Sequence, residues 1–164
     1  LSSPDCQKGA HFMQLCETRN LPLIFFQNGG SADPALLSSS LSSTLKDRAK
    51  FVAAQSTLSV PKISINIRGV SGDENYTLCG PSFGPRFYFS WPNASISKSS
   101  AFSLQESKEI DAKTRNKISQ FTFPRNSAQF AASRLTNDGI ILPSRPGMSL
   151  ERSFTSYSDL KTYP

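Results

Sequence analysis

The sequence predicts an α/β fold built from repeated helix–strand units. An amphipathic pattern over residues 8–19 precedes a short apolar run at 21–26, and a second helical pattern over 44–58 precedes an alternating strand at 61–67. Only a few residues join each helix to its strand. Successive units of this kind favour a parallel sheet with crossover connections.

The first unit combines a helix with an aromatic strand. Its apolar residues recur at helical spacing and should share one face: Ala10, Phe12, Met13, Leu15 and Cys16. The strand ends in Gln27-Asn28-Gly29-Gly30, a turn, and its continuous apolar run predicts burial of both faces. The glycine- and serine-rich stretch 29–44 is typical of a mobile loop or a frayed helix.

The second and third units repeat the plan. The second helix should turn one side inward, with Leu45, Ala49, Val52, Ala53 and Leu58. Its strand alternates, so Ile63, Ile65 and Ile67 fall on one face. The third unit has a small-residue turn at 69–72, a short helix to Cys79, and an aromatic strand at 87–91 that Pro92 ends.

The remaining residues predict weaker order. Residues 98–127 are polar and charged and indicate a linker or loose helix. A helix is expected over 128–135, a turn at Asp138-Gly139, a strand at 140–142 and a last helix over 148–157. We therefore expect a domain core over 1–97, a linker over 98–127 and a C-terminal helical segment of the same domain over 128–164.

Length and composition limit the number of domains and the kinds of partner that the chain could bind. The 164 residues suit one domain, and their +6 charge is compatible with nucleic acid, a membrane surface or the phosphates of CoA. The charges are scattered along the sequence, which favours a solvated surface. The aromatic residues Phe87-Tyr88-Phe89 could stack on the bases of a nucleic acid, but a buried strand explains them better. Three cysteines without a paired motif predict neither disulfides nor zinc. No run is long enough to span a membrane, and the start at Leu1 suggests a mature or excised piece.

Three blocks of sequence resemble one family. The first block runs from Lys8 to Cys16 and continues with Arg19-Asn20 and Phe26-Gln27-Asn28. The second runs from Lys46-Asp47 to Ile63 and continues with Asn75-Tyr76, Leu78-Cys79-Gly80, Pro85-Arg86-Phe87 and Trp91-Pro92-Asn93-Ala94. The third comprises Ala132 to Leu135, Asp138 to Ile141 and Pro143. In this order they resemble the C-terminal carboxyltransferase domain of biotin-dependent acyl-CoA carboxylase β subunits. The NYxxCG and WPNAxIS patterns are most similar to the methylcrotonyl-CoA branch, in a shortened and degenerate form.

The resemblance implies a crotonase/ClpP-like ββα spiral, here incomplete, and a particular chemistry. Carboxyl transfer develops negative charge on an enolate and on the ureido oxygen of biotin, and backbone N–H groups at glycine-rich turns stabilise such charge. The family's turn resembles GGSYGAGNY, whereas this chain reads Gly69-Val70-Ser71-Gly72-Asp73-Glu74-Asn75-Tyr76.

The resemblance also assigns site residues. The catalytic donors would be the backbone N–H groups of Asp73 and Glu74, which replace an Ala-Gly pair. Cofactor-binding positions would be Gly72, Asn75, Tyr76, Gln27 and Asn28. We expect Asp73 and Glu74 to impair the turn, because glutamate lacks glycine's steric freedom and two carboxylates oppose an oxyanion. An acid at a helix N-terminus is also favourable, by about 0.3–1 kcal/mol.

Two functions follow from this comparison. The first is a non-catalytic domain that packs within a homo-oligomer or larger complex. The second is a working biotin-side half that needs a separate CoA-binding N-domain and a biotin-carrying subunit. Only an active domain would bind biotin, carried on a partner, and acyl-CoA. By resemblance alone, the location is the mitochondrial matrix.

Overall fold

Five strands form one sheet in the computed structural model, which describes residues 1–29, 41–71, 73–97 and 124–144. The strands are β1 (Leu23–Gly29), β2 (Lys62–Ser71), β3 (Phe87–Ser90), β4 (Ser95–Ser97) and β5 (Gly139–Ile140). Their order is β1-β2-β3-β5, and β4 pairs with the last residues of β2. Every pair is parallel, which confirms the predicted crossover arrangement.

These strands are accompanied by the α-helices α1 (Ser3–Thr18), α2 (Leu41–Ser56), α3 (Asp73–Thr77) and α4 (Ala128–Ser133). α1 begins earlier than predicted because its first turn contains a proline and a carboxylate that favour the start of a helix. Pro4 lies in that turn, and the Asp5 carboxylate accepts hydrogen bonds from the Ser2 amide at 3.0 Å and the Ser2 hydroxyl at 2.6 Å.

One face of the sheet packs against α1 and α2. The buried cluster consists of Cys6, Met13, Cys16, Leu23, Phe51, Ala54 and Val60. The predicted inward faces of both helices were partly wrong: Phe12 is 58% exposed and Leu45 is 67% exposed. α1 keeps Met13 and Cys16 of the predicted stripe inward, whereas α2 is turned so that Phe51 and Ala54 are buried. Ala49 and Ala53, which were expected to face inward, are exposed.

The contact between α1 and α2 has a polar centre at Asp47. This residue is 5% exposed, and its carboxylate accepts hydrogen bonds from Ser3, from Gln7 at 2.9 Å and from Lys50 at 3.2 Å. The hydrogen bonds from Ser3 and Gln7 lower the pKa of Asp47. A buried carboxylate is tolerated here because its oxygens have donors.

The opposite face of the sheet is apolar. Ile63, Ile65 and Ile141 are buried, and Ile24, Ile67, Phe87, Phe89 and Trp91 pack around them. This confirms the predicted alternation of β2. Burial of both faces was wrong for β1, where Phe26 is 57% exposed, because β1 is an edge strand of the described sheet.

Residues 124–144 join the same sheet. β5 pairs with β3, the Asp138 amide donates to the Tyr88 carbonyl at 2.8 Å, and the Tyr88 amide donates to the Asp138 carboxylate at 2.7 Å. The predicted helix over 148–157, most of the predicted linker and most of the predicted loop lie outside the described residues. Within the described part of the chain, no helix has both the length and the apolar character required to cross a bilayer.

Candidate functional site

The turn implicated by sequence lies where β1 and β2 end. Gly29, the last residue of β1, pairs with Val70 near the end of β2, and α3 begins at Asp73 shortly afterwards. The register between β1 and β2 shifts between Gln27 and Gly29, so the pairing is irregular there. The carboxyl ends of adjacent parallel strands therefore bring Gln27, Gly29 and α3 together.

Glu74 has a buried, ion-paired side chain. Its relative exposure is 6%, and its Oε1 lies 3.1 Å from a guanidinium nitrogen of Arg48 on α2. The same nitrogen donates to the Thr77 hydroxyl at 3.2 Å. One guanidinium thus holds two residues of α3, and its charge compensates the carboxylate that burial would otherwise disfavour.

Gly29 and Glu74 are in direct contact. A Cβ built on Gly29 would lie 2.8 Å from Glu74 Cβ and 3.3 Å from its Cγ. No real Cβ tolerates the shorter distance, so the end of β1 must remain glycine while Glu74 keeps this position. The methylene carbons of Glu74 therefore occupy the space between the first turn of α3 and the end of β1.

This geometry changes the expected electrostatics of the turn. The sequence suggested that two carboxylates would oppose an oxyanion, but the Glu74 carboxylate is paired with Arg48. The electric field of the Glu74 carboxylate at the turn is therefore weaker than that of an unpaired carboxylate. For Glu74, the steric effect of the side chain is the larger departure from an alanine–glycine turn.

A buried polar network connects α3 to β1 and β3. Gln27 is fully buried; its amide nitrogen donates to the Leu78 carbonyl at 2.7 Å, and its amide oxygen accepts from the Tyr88 hydroxyl at 2.8 Å. The Tyr88 hydroxyl is also 3.3 Å from Asn75 Oδ1. Burial raises the pKa of Tyr88, so the hydroxyl stays protonated and acts as a donor. β1, β3 and α3 are thus connected through one phenol.

The chain reverses after α3 in a tight, glycine-dependent turn. Cys79 has a φ of 58°, and a Cβ on Gly80 would lie 2.4 Å from the Asn75 carbonyl oxygen. The Ser64 hydroxyl donates to the Cys79 carbonyl at 2.6 Å. Burial raises the pKa of the Cys79 thiol, which disfavours a nucleophilic thiolate.

The remaining residues suggested by sequence are dispersed. The Asn28 side chain is exposed, and Tyr76 is 52% exposed with its ring 4.7 Å from that of Phe83. Asp73 begins α3, and Gly72 lies outside the described residues. The structure therefore brings together Gln27, Glu74 and Asn75, but not the side chains of Asn28 and Tyr76.

Three important residues were missed by sequence reasoning: Arg48, Tyr88 and, as a contact position, Gly29. Tyr88 carried a usable signal, because it is the one polar ring between Phe87 and Phe89 and must face the opposite side of the strand. Arg48 carried none, since one arginine in a polar helix resembles any solvated charge. In the described ranges, no three His, Cys, Asp or Glu side chains gather as a metal site.

Both a family model and known proteins are similar to this chain. The family model described as a carboxyl transferase domain matches residues 1–150. The mitochondrial methylcrotonoyl-CoA carboxylase β chain of Dictyostelium discoideum is 36% identical over 162 residues, covering 87% of this chain and 27% of that protein. The probable counterpart in Drosophila melanogaster is 31% identical over 187 residues, covering 95% of this chain and 30% of that protein.

A solved structure is also similar. The transcarboxylase 12S subunit, crystallised as a hexamer assembly with methylmalonyl-coenzyme A and methylmalonic acid bound, aligns with a TM-score of 0.82 and 25% identity, covering 97% of this chain and 32% of that one. The crotonase-type α/β fold expected from the sequence is thereby confirmed. The chain spans less than a third of the length of the two curated relatives.

Proposed function

The chain belongs to the carboxyl transferase domain family, and from that membership we propose that it is a non-catalytic carboxyltransferase-like domain with a packing role in a larger complex. The observation that carries the proposal is the buried Glu74 side chain, which lies against Gly29 and pairs with Arg48. These contacts occupy the position at which the family resemblance places an open turn.

The chemistry of carboxyl transfer explains why this contact matters. An oxyanion is stabilised by preorganised N–H groups that approach it closely, in a site with room for the reacting oxygen and the ring that carries it. Glycine in the first turn of α3 would leave the space beside Gly29 open, whereas glutamate fills it with Cβ and Cγ. On this basis the described residues do not fit the ureido ring of biotin beside Glu74.

The partners follow from the relatives. The similar transcarboxylase subunit forms a hexamer, and both curated relatives are mitochondrial carboxylase chains. We propose the same setting here: a homo-oligomer or larger complex in the mitochondrial matrix, with a biotin-carrying subunit or a CoA-binding N-domain as neighbour. Exposed apolar side chains such as Phe12, Phe26 and Leu135 are consistent with burial against such partners.

A carboxyltransferase assay tests the proposal. The purified chain, alone and with the N-terminal half of a related β subunit, would be incubated with free biotin and a radiolabelled carboxylated acyl-CoA, and label on biotin would be measured. We expect no transfer above the enzyme-free rate. Transfer above that rate by the wild-type chain, kept in the exposed-site control Leu45→Ala, would contradict the proposal.

A second candidate is the working biotin-side half, with acyl-CoA bound mainly by a separate domain. The network of Gln27, Tyr88 and Asn75 favours it, because that network holds the backbone of α3 in place. Backbone donors depend on conformation more than on side-chain identity. Transfer that appears only when the CoA-binding half is supplied would distinguish this candidate from the first.

A further inference from the structure

A row of buried polar residues crosses the sheet toward the carboxyl ends of its strands. Gln27 on β1 is paired in register with Asn66 on β2, and Asn66 is paired with Ser90 on β3. All three residues are fully buried. Directly opposed residues of parallel strands share a face, so these side chains point to the same side of the sheet. On that side, Leu23 of β1 packs against α1 and α2.

The amide of Asn137 meets this row from the segment that follows α4. Its Nδ2 donates to the Ser90 hydroxyl at 3.1 Å and lies 3.4 Å from the Ala128 carbonyl. Asn137 is 5% exposed. On the neighbouring strand, Asn66 Nδ2 donates to the Ser95 carbonyl at 3.0 Å.

These contacts fix the orientation of both amides. Rotating either amide by half a turn would place its oxygen against a backbone carbonyl, where two acceptors repel. The two oxygens, Asn66 Oδ1 and Asn137 Oδ1, therefore remain the groups in need of partners. Each is buried, and neither has a hydrogen-bond donor within the described chain.

Both oxygens belong to residues that meet at Ser90. Asn66 lies one strand spacing from it, about 4.8 Å, and Asn137 donates to it directly. The neighbouring residues Ala94 and Ala128 are small and almost fully buried, and they are joined by a hydrogen bond from the Ala128 amide to the Ala94 carbonyl at 3.2 Å. Their side chains carry no polar atoms and so supply no donor to either oxygen.

We propose a buried water site at this junction, in which one water donates a hydrogen bond to each of the two orphaned amide oxygens. Water matches the chemistry because it supplies two donors at once, and polar groups left over in protein interiors are commonly satisfied in this way. A cation fits less well, since Na⁺-like or Ca²⁺-like ions require more oxygen ligands, and carboxylates in most cases. The water would link the centre of the sheet to residues 128–137.

A high-resolution crystal structure of the chain tests the site directly. We expect one electron-density peak about 2.7–3.2 Å from both Asn66 Oδ1 and Asn137 Oδ1, with no anomalous signal after a rubidium soak. An empty junction, a direct protein donor to either oxygen, or a rubidium peak would each overturn the proposal.

Solution NMR provides a second readout. A long-lived water should give cross-peaks at the water frequency to the side-chain amide protons of both Asn66 and Asn137. In Asn137→Leu the cross-peak to Asn66 should disappear, whereas the exposed control Asn28→Leu should keep it. Persistence of the peak in Asn137→Leu would refute a shared water. If that variant fails to fold, the wild-type spectrum and crystal structure still decide.

Discussion

At the scale of single residues, the Glu74 side chain fills the space between the first turn of α3 and the end of β1. A glutamate in the first turn of a short helix is ordinarily a surface residue that favours the helix dipole. Here it is drawn inward by Arg48 and covers the backbone of Gly29. The Glu74 side chain therefore adds volume, as well as charge, at the end of β1.

The pairing of Arg48 with Glu74 should be measurable as coupling. Glu74→Ala leaves a mostly buried guanidinium without its charge partner, and we expect a loss of about 2–3 kcal/mol in the free energy of unfolding. Arg48→Ala should cost a similar amount. Because either change breaks the same contact, the double variant should lose clearly less than the sum.

Urea denaturation of the four proteins of this cycle gives the coupling free energy. Lys46→Ala, an exposed change on the same helix, is the control and should be nearly neutral. Strictly additive losses would mean that the pair makes no net contribution.

The contact at Gly29 predicts a position-specific cost. Gly29→Ala should destabilise the chain by about 1–3 kcal/mol, because the new Cβ would lie 2.8 Å from Glu74 Cβ. Gly139→Ala is the matched control, since its Cβ would meet the Phe89 ring at an ordinary 3.9 Å. Thermal unfolding of both variants should separate them, and the Gly29→Ala cost should shrink in a Glu74→Gly background. Equal effects at the two glycines would argue against the close contact.

At the scale of elements, α1 and α2 are joined through a carboxylate as well as through apolar contacts. Hydrogen bonds from Ser3 and Gln7 lower the pKa of Asp47 from 3.8. A lowered folded pKa contributes stability that is present above the unfolded pKa and is lost as the pH falls through the folded value. Asp5 and Glu17, whose pKa values are lowered by hydrogen bonds from Ser2 and Ser59, act in the same direction.

The helix pair should therefore loosen in acid. We expect the urea midpoint of the wild type to fall as the pH drops below about 4. Asp47→Asn should be less stable at neutral pH, and its urea midpoint should depend less on pH. Asp138→Asn, at the edge of the sheet, provides a comparison outside the helix pair. An unchanged pH profile in Asp47→Asn would contradict this role for Asp47.

The elements were more predictable than their faces. Alternation in β2 and the aromatic run of β3 identified both strands, because a period-two alternation of apolar and polar residues is a strong local signal. β4 was missed because three residues, Ser95–Ser97, contain too little pattern. The inward position of Asp47 could not be foreseen, since its donors Ser3 and Gln7 are distant in sequence. The Tyr88 network depends on the same kind of tertiary information.

At the scale of the whole molecule, the described residues present apolar side chains to solvent in several places. Phe12 and Leu15 are 58% and 43% exposed on α1, and Leu135 and Leu142 are 90% and 56% exposed near β5. Isolated exposed apolar residues are ordinary, but large side chains at this density are typical of surfaces that partners cover. A packing role in a complex would place some of them in an interface.

Assembly should respond to charge placed on α1. Phe12→Glu combined with Leu15→Glu removes two exposed apolar side chains without touching the buried Met13 and Cys16, so the fold should persist and circular dichroism should be unchanged. If α1 lies in an interface, the double variant should sediment as a smaller species than the wild type in analytical ultracentrifugation, because burying two carboxylates strongly disfavours association. Lys46→Glu makes the same change of −2 in net charge at an exposed position on α2 and tests the effect of charge alone. Loss of assembly in both variants would assign the effect to overall charge, and unchanged sedimentation in both would exclude α1 from the interface.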